Sequence, residues 1–231
     1  MRLFAIGDPH LSFGCDKPMD IFKGWHDHVS RFEENWNKTV SAEDTVVVCG
    51  DISWAMTMKE AQPDFAFLDR LNGRKIILRG NHDYWFSTYA EVTAFFEENG
   101  FSTLSFLFNN AYRVGDIAVC GTRGWVSEHG EQADKKVLSR EAGRLRLSLG
   151  AAPADVKERI VFLHYPPAYY IYECAEILNV LKEYGIKRCY YGHIHGAGHR
   201  YAIDGEYQGI DMRLIACDYT DFTPVEVPGI Q

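Results

Sequence analysis

Five short clusters of polar residues hold seven side chains that could bind a metal ion, with one further histidine, His82, among them. The clusters are Asp8-Pro9-His10, Gly50-Asp51, Gly80-Asn81-His82-Asp83, His164 and Gly192-His193-Ile194-His195. Carboxylate, amide and imidazole groups together suit divalent ions such as zinc, manganese or iron better than calcium. The residue types therefore indicate a transition-metal or zinc site that needs no thiolate.

Each cluster is a weak signal by itself. Asp8 and His10 could form a turn or a helix cap, and a single histidine such as His164 is often a hydrogen-bonded core residue. The clusters that contain Gly80 and Gly192 are more specific, because glycine permits a tight backbone path that directs adjacent side chains to one point. The ordered set is much stronger evidence than any of its parts.

Every cluster follows a short apolar run that is typical of a buried β-strand. The predicted strands are 2–7, 45–49, 75–78, 160–163 and 188–191. Amphipathic patterns between them predict helices at 20–38, 64–71, 88–98 and 175–184. Alternating strands and helices imply parallel pairing in a layered α/β sheet, whose ligands bind at the carboxyl ends of the strands. Five loops are therefore expected to converge on one site.

The rest of the chain has a different texture. Asn109-Asn110 and Asp204-Gly205 predict hairpin turns between β-rich stretches, and hence a second, more antiparallel set of strands. Between these turns, apolar residues at helical spacing predict one more helix, which we expect to lie at the surface. These residues are Leu138, Ala142, Leu145 and Leu149.

Length and composition favour one globular domain over residues 1–231, with no linker or repeat to divide it. The apolar runs are far shorter than the roughly 20 residues of a membrane-spanning helix. The apolar stretch at the N-terminus is too short for a signal peptide, so we expect a cytoplasmic protein. The six cysteines form no C-x-x-C pair, and we expect free thiols. The net charge of −8 disfavours a nucleic-acid polymer as partner.

The five clusters resemble the signature of the calcineurin-like metallophosphoesterases: D-x-H, then GD, then GNH followed by an acid, then a lone histidine, then GHxH. All five blocks are intact and in order over residues 8–195. The resemblance implies a four-layer α/β-β/α sandwich of two mixed sheets flanked by helices. It also implies a site for two divalent metal ions, manganese, iron or zinc, at the carboxyl-terminal edge of the sheets.

Carried over position by position, the resemblance implies two ligand sets that share Asp51. Asp8, His10, Asp51 and His195 would hold the first metal, and Asp51, Asn81, His164 and His193 the second. A hydroxide bridging the metals would then attack a phosphomonoester or phosphodiester, of a small molecule or a nucleotide. His82 would protonate the leaving-group oxygen.

The match departs from the protein Ser/Thr phosphatase branch, which carries a second Asp and an Arg shortly after the bridging aspartate. Here residues 52–56 read Ile-Ser-Trp-Ala-Met, so Trp54 stands where the acid that orients the catalytic histidine is expected. This departure disfavours a protein phosphatase. Asp83 could orient another ligand, and a structural role is an equal alternative.

Several further residues have two readings. Arg123 could bind phosphate oxygens with its planar guanidinium, or could stack on Trp125. Trp54 and Trp85 could stack on a base or an apolar leaving group, or could serve packing alone. The segment 126–154 could form a helical cap over the site, or could be a solvated helical insertion.

Two other functions compete with hydrolysis of a phosphate ester. A non-catalytic scaffold of the same fold would be expected to lose ligands or the catalytic histidine, whereas all eight positions are present here. A nuclease would share the chemistry but would be expected to add a basic track, against which the acidic balance counts.

Overall fold

The computed structural model describes residues 1–125 and 135–230. Its strands are β1 (Leu3–Ile6), β2 (Thr45–Cys49), β3 (Arg74–Leu78), β4 (Leu104–Phe106), β5 (Tyr112–Val114), β6 (Ile117–Thr122), β7 (Glu158–Leu163), β8 (Ala168–Tyr169), β9 (Tyr172–Glu173), β10 (Arg188–Tyr191), β11 (Gly205–Tyr207), β12 (Ile210–Leu214) and β13 (Val225–Val227). Its α-helices are α1 (His28–Thr39), α2 (Met58–Arg70), α3 (Tyr89–Glu98), α4 (Lys135–Gly150) and α5 (Ala175–Glu183), and a 3-10 helix spans Gly196–Tyr201.

Eleven of the described strands form two mixed sheets, and β8 and β9 form a separate antiparallel pair. The first sheet has the order β13-β1-β2-β3-β4, in which only the β13–β1 pair is antiparallel. The second has the order β11-β12-β10-β7-β6-β5, with four parallel strands in the centre and an antiparallel strand at each edge. The predicted second sheet therefore exists, but antiparallel pairing is confined to its edges.

Alternate residues of each central strand pack on opposite sides, as the pleat of a strand requires. In β2, Val47 packs between the two sheets, whereas Val46 and Val48 pack outward beneath helices of the first layer. In β7, Ile160 faces the first sheet, whereas Val161 packs toward α4 and α5. The result is the predicted α/β-β/α sandwich of two mixed sheets flanked by helices, and this prediction is confirmed.

Helix α1 is shorter than the predicted helix at 20–38, because it begins only at His28. Gly24 and Asp27 have φ angles of 92° and 50°, which no right-handed helix can contain. Ile21, which fits the apolar spacing in the sequence, is 74% exposed. The chain from 12 to 27 is thus an irregular loop, which we call the 12–27 loop.

Neither predicted hairpin turn lies where the sequence suggested. Asn109-Asn110 lies in the crossover from β4 of the first sheet to β5 of the second. Gly205 is already the first residue of β11, and the turn to β12 is Gln208-Gly209. Both residues of that turn have positive φ, 52° and 82°, as a tight type I′ turn requires.

Helix α4 lies at the surface of the sandwich, as predicted, with its apolar stripe buried in the core and its opposite face exposed. Leu145 and Leu149 pack with α5 and with residues of β6 and β7. The helix is thus a layer of the sandwich. Residues 126–134 of the predicted cap lie outside the described residues, so the cap stays a prediction.

Two smaller expectations also have outcomes. All six cysteines are free, and five of them are buried. Over the described parts of the chain, no helix combines the length and apolarity that crossing a membrane would need.

A buried lysine closes the carboxyl end of α2. Lys75 Nζ donates hydrogen bonds to the carbonyl oxygens of Leu71, Gly73 and Asp69 at 2.6, 2.8 and 3.2 Å. The last carbonyls of a helix have no partner within the helix and carry partial negative charge, so an ammonium group satisfies them. Burial lowers the pKa of Lys75 to about 8, which leaves the amine largely protonated at pH 7.

We expect Lys75→Met to lower the free energy of unfolding by about 1–3 kcal/mol, because the side-chain volume is kept while buried carbonyls lose their donor. Urea denaturation followed by circular dichroism measures the change. Lys59→Met is the matched control, since Lys59 is exposed on the same helix, and it should shift stability by less than about 0.5 kcal/mol. Equal effects of the two substitutions would show that the buried hydrogen bonds contribute nothing.

Candidate metal centre

The two sheets contribute different ligands to one edge of the sandwich. Asp8, Asp51 and Asn81 follow β1, β2 and β3 of the first sheet, together with His10. The second sheet supplies imidazoles: His164 follows β7, and His193 and His195 follow β10. All lie at the carboxyl ends of parallel strands, where loops of an open α/β sheet converge.

The structure brings these side chains together in two groups. Ligand atoms of Asp8, His10 and His195 lie within 4.8 Å of one another, and so do those of Asp51, His164 and His193. Each group combines residues from both sheets. The facing of the two sheets is therefore what assembles the site.

Asp51 lies between the two groups. Its Oδ2 is 3.7 Å from His10 Nε2 of the first group, and its Oδ1 is 3.6 Å from His164 Nε2 of the second. Asn81 Oδ1 lies 2.6 Å from the same His164 nitrogen, so it joins the second group. One carboxylate oxygen thus faces each group, which is the arrangement that a shared ligand needs.

The residues fit a pair of divalent ions. Asp8 and Asp51 are almost fully buried, and buried carboxylates are costly unless cations compensate them. Nε2 of His195 is buried with no hydrogen-bond partner among the described residues, and it points at 3.9 Å to Asp8 Oδ1. Oxygen and imidazole donors in this number suit zinc, manganese or iron.

Burial and mutual contact set the protonation of these groups. Burial opposes ionisation of Asp51, but the imidazoles of His164, His10 and His82 outweigh it and lower its pKa to about 2. Burial lowers the pKa of His10 to about 3 and that of His193 to about 2, so both keep a free lone pair. Burial acts in the same direction on His164, yet Asp51 and Asp8 raise its pKa to about 9. Binding of a cation there would release a proton.

Four of the ligand residues occupy strained backbone conformations. The φ angles of Asp8, His10, Asp51 and His193 are 58°, 46°, 46° and 70°, in the left-handed region. For residues with a Cβ this conformation costs about 1 kcal/mol or more each. Such strain persists only where surrounding contacts enforce it, and it is concentrated here at the candidate site.

Hydrogen bonds orient two of the imidazoles. His195 Nδ1 lies 2.8 Å from Asp218 Oδ1, and the other oxygen of Asp218 accepts from Gly196 N at 2.9 Å. His164 Nδ1 lies 3.2 Å from the carbonyl oxygen of Cys49. A donor role for each Nδ1 leaves Nε2 as the free ligand atom, as is usual for histidines that bind metals.

Asp218 is a candidate functional residue that the sequence analysis does not predict. The signal was available, because Asp218 follows the apolar run 214–217 just as Asp51 follows its own strand. His199 Nε2 lies 3.3 Å from Asp218 Oδ2 without forming a hydrogen bond among the described residues.

The contacts of Asp83 favour its structural alternative. Its Oδ1 accepts hydrogen bonds from the backbone N–H groups of Ile52 and Ser53 and from Trp85 Nε1, and its Oδ2 accepts from Gly80 N. The carboxylate therefore clamps the loop after β2 to the loop after β3. Burial, with Asp51 nearby, raises the pKa of Asp83 to about 6.

His82 lies beside the ligands with its ring against Trp54. The two ring centroids are 4.4 Å apart, and His82 N donates to Asp51 Oδ1 at 2.8 Å. In the described parts of the chain, His82 Nδ1 has no hydrogen-bond partner, in line with the missing acidic orienter. Burial lowers the pKa of His82.

Arg123 adopts the stacking alternative in this structure. Its guanidinium lies 5.2 Å from the ring centroid of Trp125 and 3.9 Å from Glu141 Oε1. Its carbonyl oxygen accepts hydrogen bonds from the N–H groups of His164 and Tyr165. Arg123 thus supports the loop of a ligand, while phosphate binding by its side chain stays a prediction.

Two glycines allow the backbone to approach the ligand carboxylates. A Cβ on Gly80 would overlap both Oδ1 and the backbone nitrogen of Asp51, and one on Gly192 would overlap Oδ2 of Asp8. A rotation of the Asp51 side chain cannot relieve the overlap at Gly80, because one of the overlapped atoms is the backbone nitrogen of Asp51. The glycines of the two specific motifs are therefore required by packing on the ligands.

Comparison with known proteins places this geometry in context. The family described as calcineurin-like phosphoesterase matches residues 1–197. Over 105 residues the chain is 27% identical to the uncharacterized protein MJ1445 of Methanocaldococcus jannaschii. This alignment covers 43% of this chain and 54% of that protein. The chain thus spans about half the length of that curated relative.

Two solved structures share the fold. One is the protein of unknown function AQ665 from Aquifex aeolicus, with 17% identity, a TM-score of 0.54, and coverage of 97% of this chain and 95% of that chain. The other is the phosphopantetheinyl hydrolase PptH from Mycobacterium tuberculosis, with 13% identity, a TM-score of 0.56, and coverage of 99% and 98%. At these identities the likeness concerns the fold alone.

Gly80→Ala should weaken metal binding roughly tenfold to hundredfold. The added Cβ would displace Asp51, the carboxylate that lies between the two groups of candidate ligands. Isothermal titration with Mn²⁺ or Zn²⁺ measures the affinity, and circular dichroism checks that the variant is folded. Gly143→Ala is the control, because a Cβ there meets nothing within 4 Å. Unchanged affinity in a folded Gly80→Ala protein would contradict the packing argument.

Asp218→Asn should also weaken metal binding about tenfold to hundredfold, because the neutral amide holds His195 less firmly and makes it a weaker ligand. The same titration applies. Asp221→Asn is a matched control three residues away, with a side chain that is 83% exposed and paired only with Arg31 among the described residues. If both variants bound metal like the wild type, Asp218 would have no orienting role.

Proposed function

Because the chain belongs to the calcineurin-like phosphoesterase family, we propose that it hydrolyses a phosphomonoester or phosphodiester of a small molecule or nucleotide at two metal ions. The observation that carries this proposal is the position of Asp51, with one oxygen near each of two groups of ligands. A single structural metal ion would need only one such group.

The two ligand groups assign a role to each residue. Asp8, His10, Asp51 and His195 would hold one ion, and Asp51, Asn81, His164 and His193 the other, with manganese, iron or zinc as the metal. When bound, two such ions supply an activated water and neutralise charge on the phosphate oxygens. The chain itself excludes bulk water from the ligands, since Asp8, Asp51 and His164 are buried.

His82 is proposed as the proton donor to the leaving-group oxygen. The backbone N–H of His82 donates to Asp51 Oδ1, its ring centroid lies 5.8 Å from that of His10, and the ring borders an open cavity. Burial lowers the pKa of His82, which makes the protonated imidazole a stronger acid but reduces the protonated fraction near neutral pH.

The competing functions fit the structure less well. A non-catalytic scaffold has no need to keep all seven candidate ligands and His82 at one edge of the sandwich. It also has no need to hold four of these residues in strained backbone conformations. A nuclease is disfavoured by the net charge of −8, because polymer phosphates demand clustered Lys and Arg.

Hydrolysis of p-nitrophenyl phosphate and bis-p-nitrophenyl phosphate tests the proposal, with chelator-treated protein before and after addition of Mn²⁺. We expect metal-dependent turnover that Asp51→Asn abolishes, and the preferred ester identifies the substrate class. For an ester of an alkyl alcohol, His82→Ala should lower kcat by about 10²- to 10⁴-fold. For p-nitrophenyl esters the loss should be smaller, because nitrophenolate leaves without a proton.

His26→Ala is the control for the histidine variant, since the His26 side chain is exposed and pairs only with Asp27 in the described structure. It should retain full activity. Folded wild-type protein that binds metal yet hydrolyses neither ester, with any of Mn²⁺, Fe²⁺ or Zn²⁺, would overturn the proposal in favour of the scaffold.

A further inference from the structure

A cavity of about 410 Å³ opens directly beside the candidate metal centre. Four of its lining residues, Met19, Phe22, Lys23 and Trp25, come from the 12–27 loop. Trp54, from the loop after β2, lines it as well. The side chains of Met19, Phe22, Trp25 and Trp54 give the cavity an aromatic and apolar wall that suits planar apolar groups, with the cationic residue Lys23 also on its lining.

The cavity reaches the reacting end of the site. His82 and the ligands His10 and His195 also line it. Since His82 is proposed to protonate the leaving oxygen, the group attached to that oxygen must extend on the side of His82. The aromatic cavity is the space that adjoins His82 there.

The tryptophans of the cavity are held in place. Trp54 stacks on His10 with ring centroids 4.8 Å apart and planes at 21°, and its Nε1 donates to Met19 Sδ at 3.3 Å. Trp25 packs edge-on against Phe222 at 5.2 Å. Rigid aromatic walls lose little conformational entropy when a ring binds between them.

Phe22 differs from its neighbours because it is not held in the core. Its side chain is 52% exposed, and it belongs to none of the hydrophobic clusters of the described residues. An apolar side chain at the mouth of an apolar cavity beside the reacting groups gains burial when a ligand covers it.

We propose that this cavity binds the leaving group, and that the enzyme selects phosphate esters whose alcohol carries a planar apolar ring. The inference rests on the proposed hydrolysis, because the cavity is a leaving-group site only if an ester is cleaved beside it. Phe22 and Trp54 are its specificity-determining residues.

Paired esters test the selection. Hydrolysis of 2-phenylethyl phosphate is compared with that of ethyl phosphate by phosphate release, or the corresponding methyl diesters are compared if diesters are the preferred class. Both leaving oxygens are primary alkoxides, so the ring is the main difference. We expect kcat/KM to favour the phenylethyl ester by about ten- to hundredfold, the value of burying one ring.

Phe22→Ala should lower that preference by roughly tenfold or less. Phe13→Ala is the matched control: Phe13 lies on the same loop and is also 52% exposed, but it packs against Phe67 outside the cavity. The control should keep the wild-type preference. Equal kcat/KM for the two esters in the wild type would overturn the leaving-group proposal while leaving the hydrolase intact.

A binding measurement separates the two proposals when turnover is absent. The phosphonates 2-phenylethylphosphonate and ethylphosphonate cannot be hydrolysed, and quenching of tryptophan fluorescence from Trp25 and Trp54 reports their binding. Tighter binding of the phenylethyl compound by wild type but not by Phe22→Ala, without hydrolysis of any ester, would refute the hydrolase and retain a site for planar apolar groups. No preference in either assay would refute the cavity proposal.

Discussion

Two carboxylates, Asp8 and Asp51, are buried at the edge of the sandwich, which is unfavourable in free energy unless they are compensated. The groups around them provide that compensation. Hydrogen bonds from backbone N–H groups compensate part of that cost: His193 N donates to Asp8, and His82 N donates to Asp51. The remaining compensation must come from positive charge. The imidazoles around Asp51 lower its pKa, and a pair of cations would provide the compensation more fully.

This requirement explains why two facing sheets are needed. The first sheet brings its oxygen ligands to the ends of three adjacent parallel strands, and the second brings histidines to the ends of β7 and β10. The apolar layer between the sheets, which includes Val47 and Ile160, sets the distance between the two edges. Asp8, Asp51 and His193 have left-handed backbone conformations at the ends of the strands. The rigid sheets hold these loops in conformations that would otherwise relax.

The site and its surroundings divide the work of recognition. The metal ligands can recognise only the phosphate group that all candidate substrates share. The 12–27 loop and Trp54 line the neighbouring cavity, which we propose distinguishes one ester from another. Trp25 of this loop packs edge-on against His10 and His195, whereas Phe22 belongs to no hydrophobic cluster of the described residues. Phe22 can therefore vary with less effect on the metal centre than Trp25, as is common for exposed residues of binding loops.

The sequence by itself determined the ligand types, the strands that present them and the α/β class, because metal chemistry needs particular residues and buried strands need apolar runs. The helix predicted from residue 20 failed, since spacing alone does not show that Gly24 and Asp27 reverse the sign of φ. The position of Asp218 after an apolar run marks it as a candidate, but its contact with His195 depends on the tertiary structure. Only the tertiary structure decided which candidate ligands lie together, how Asp83 joins two loops and where the aromatic cavity lies, because these depend on distances between residues far apart in the chain.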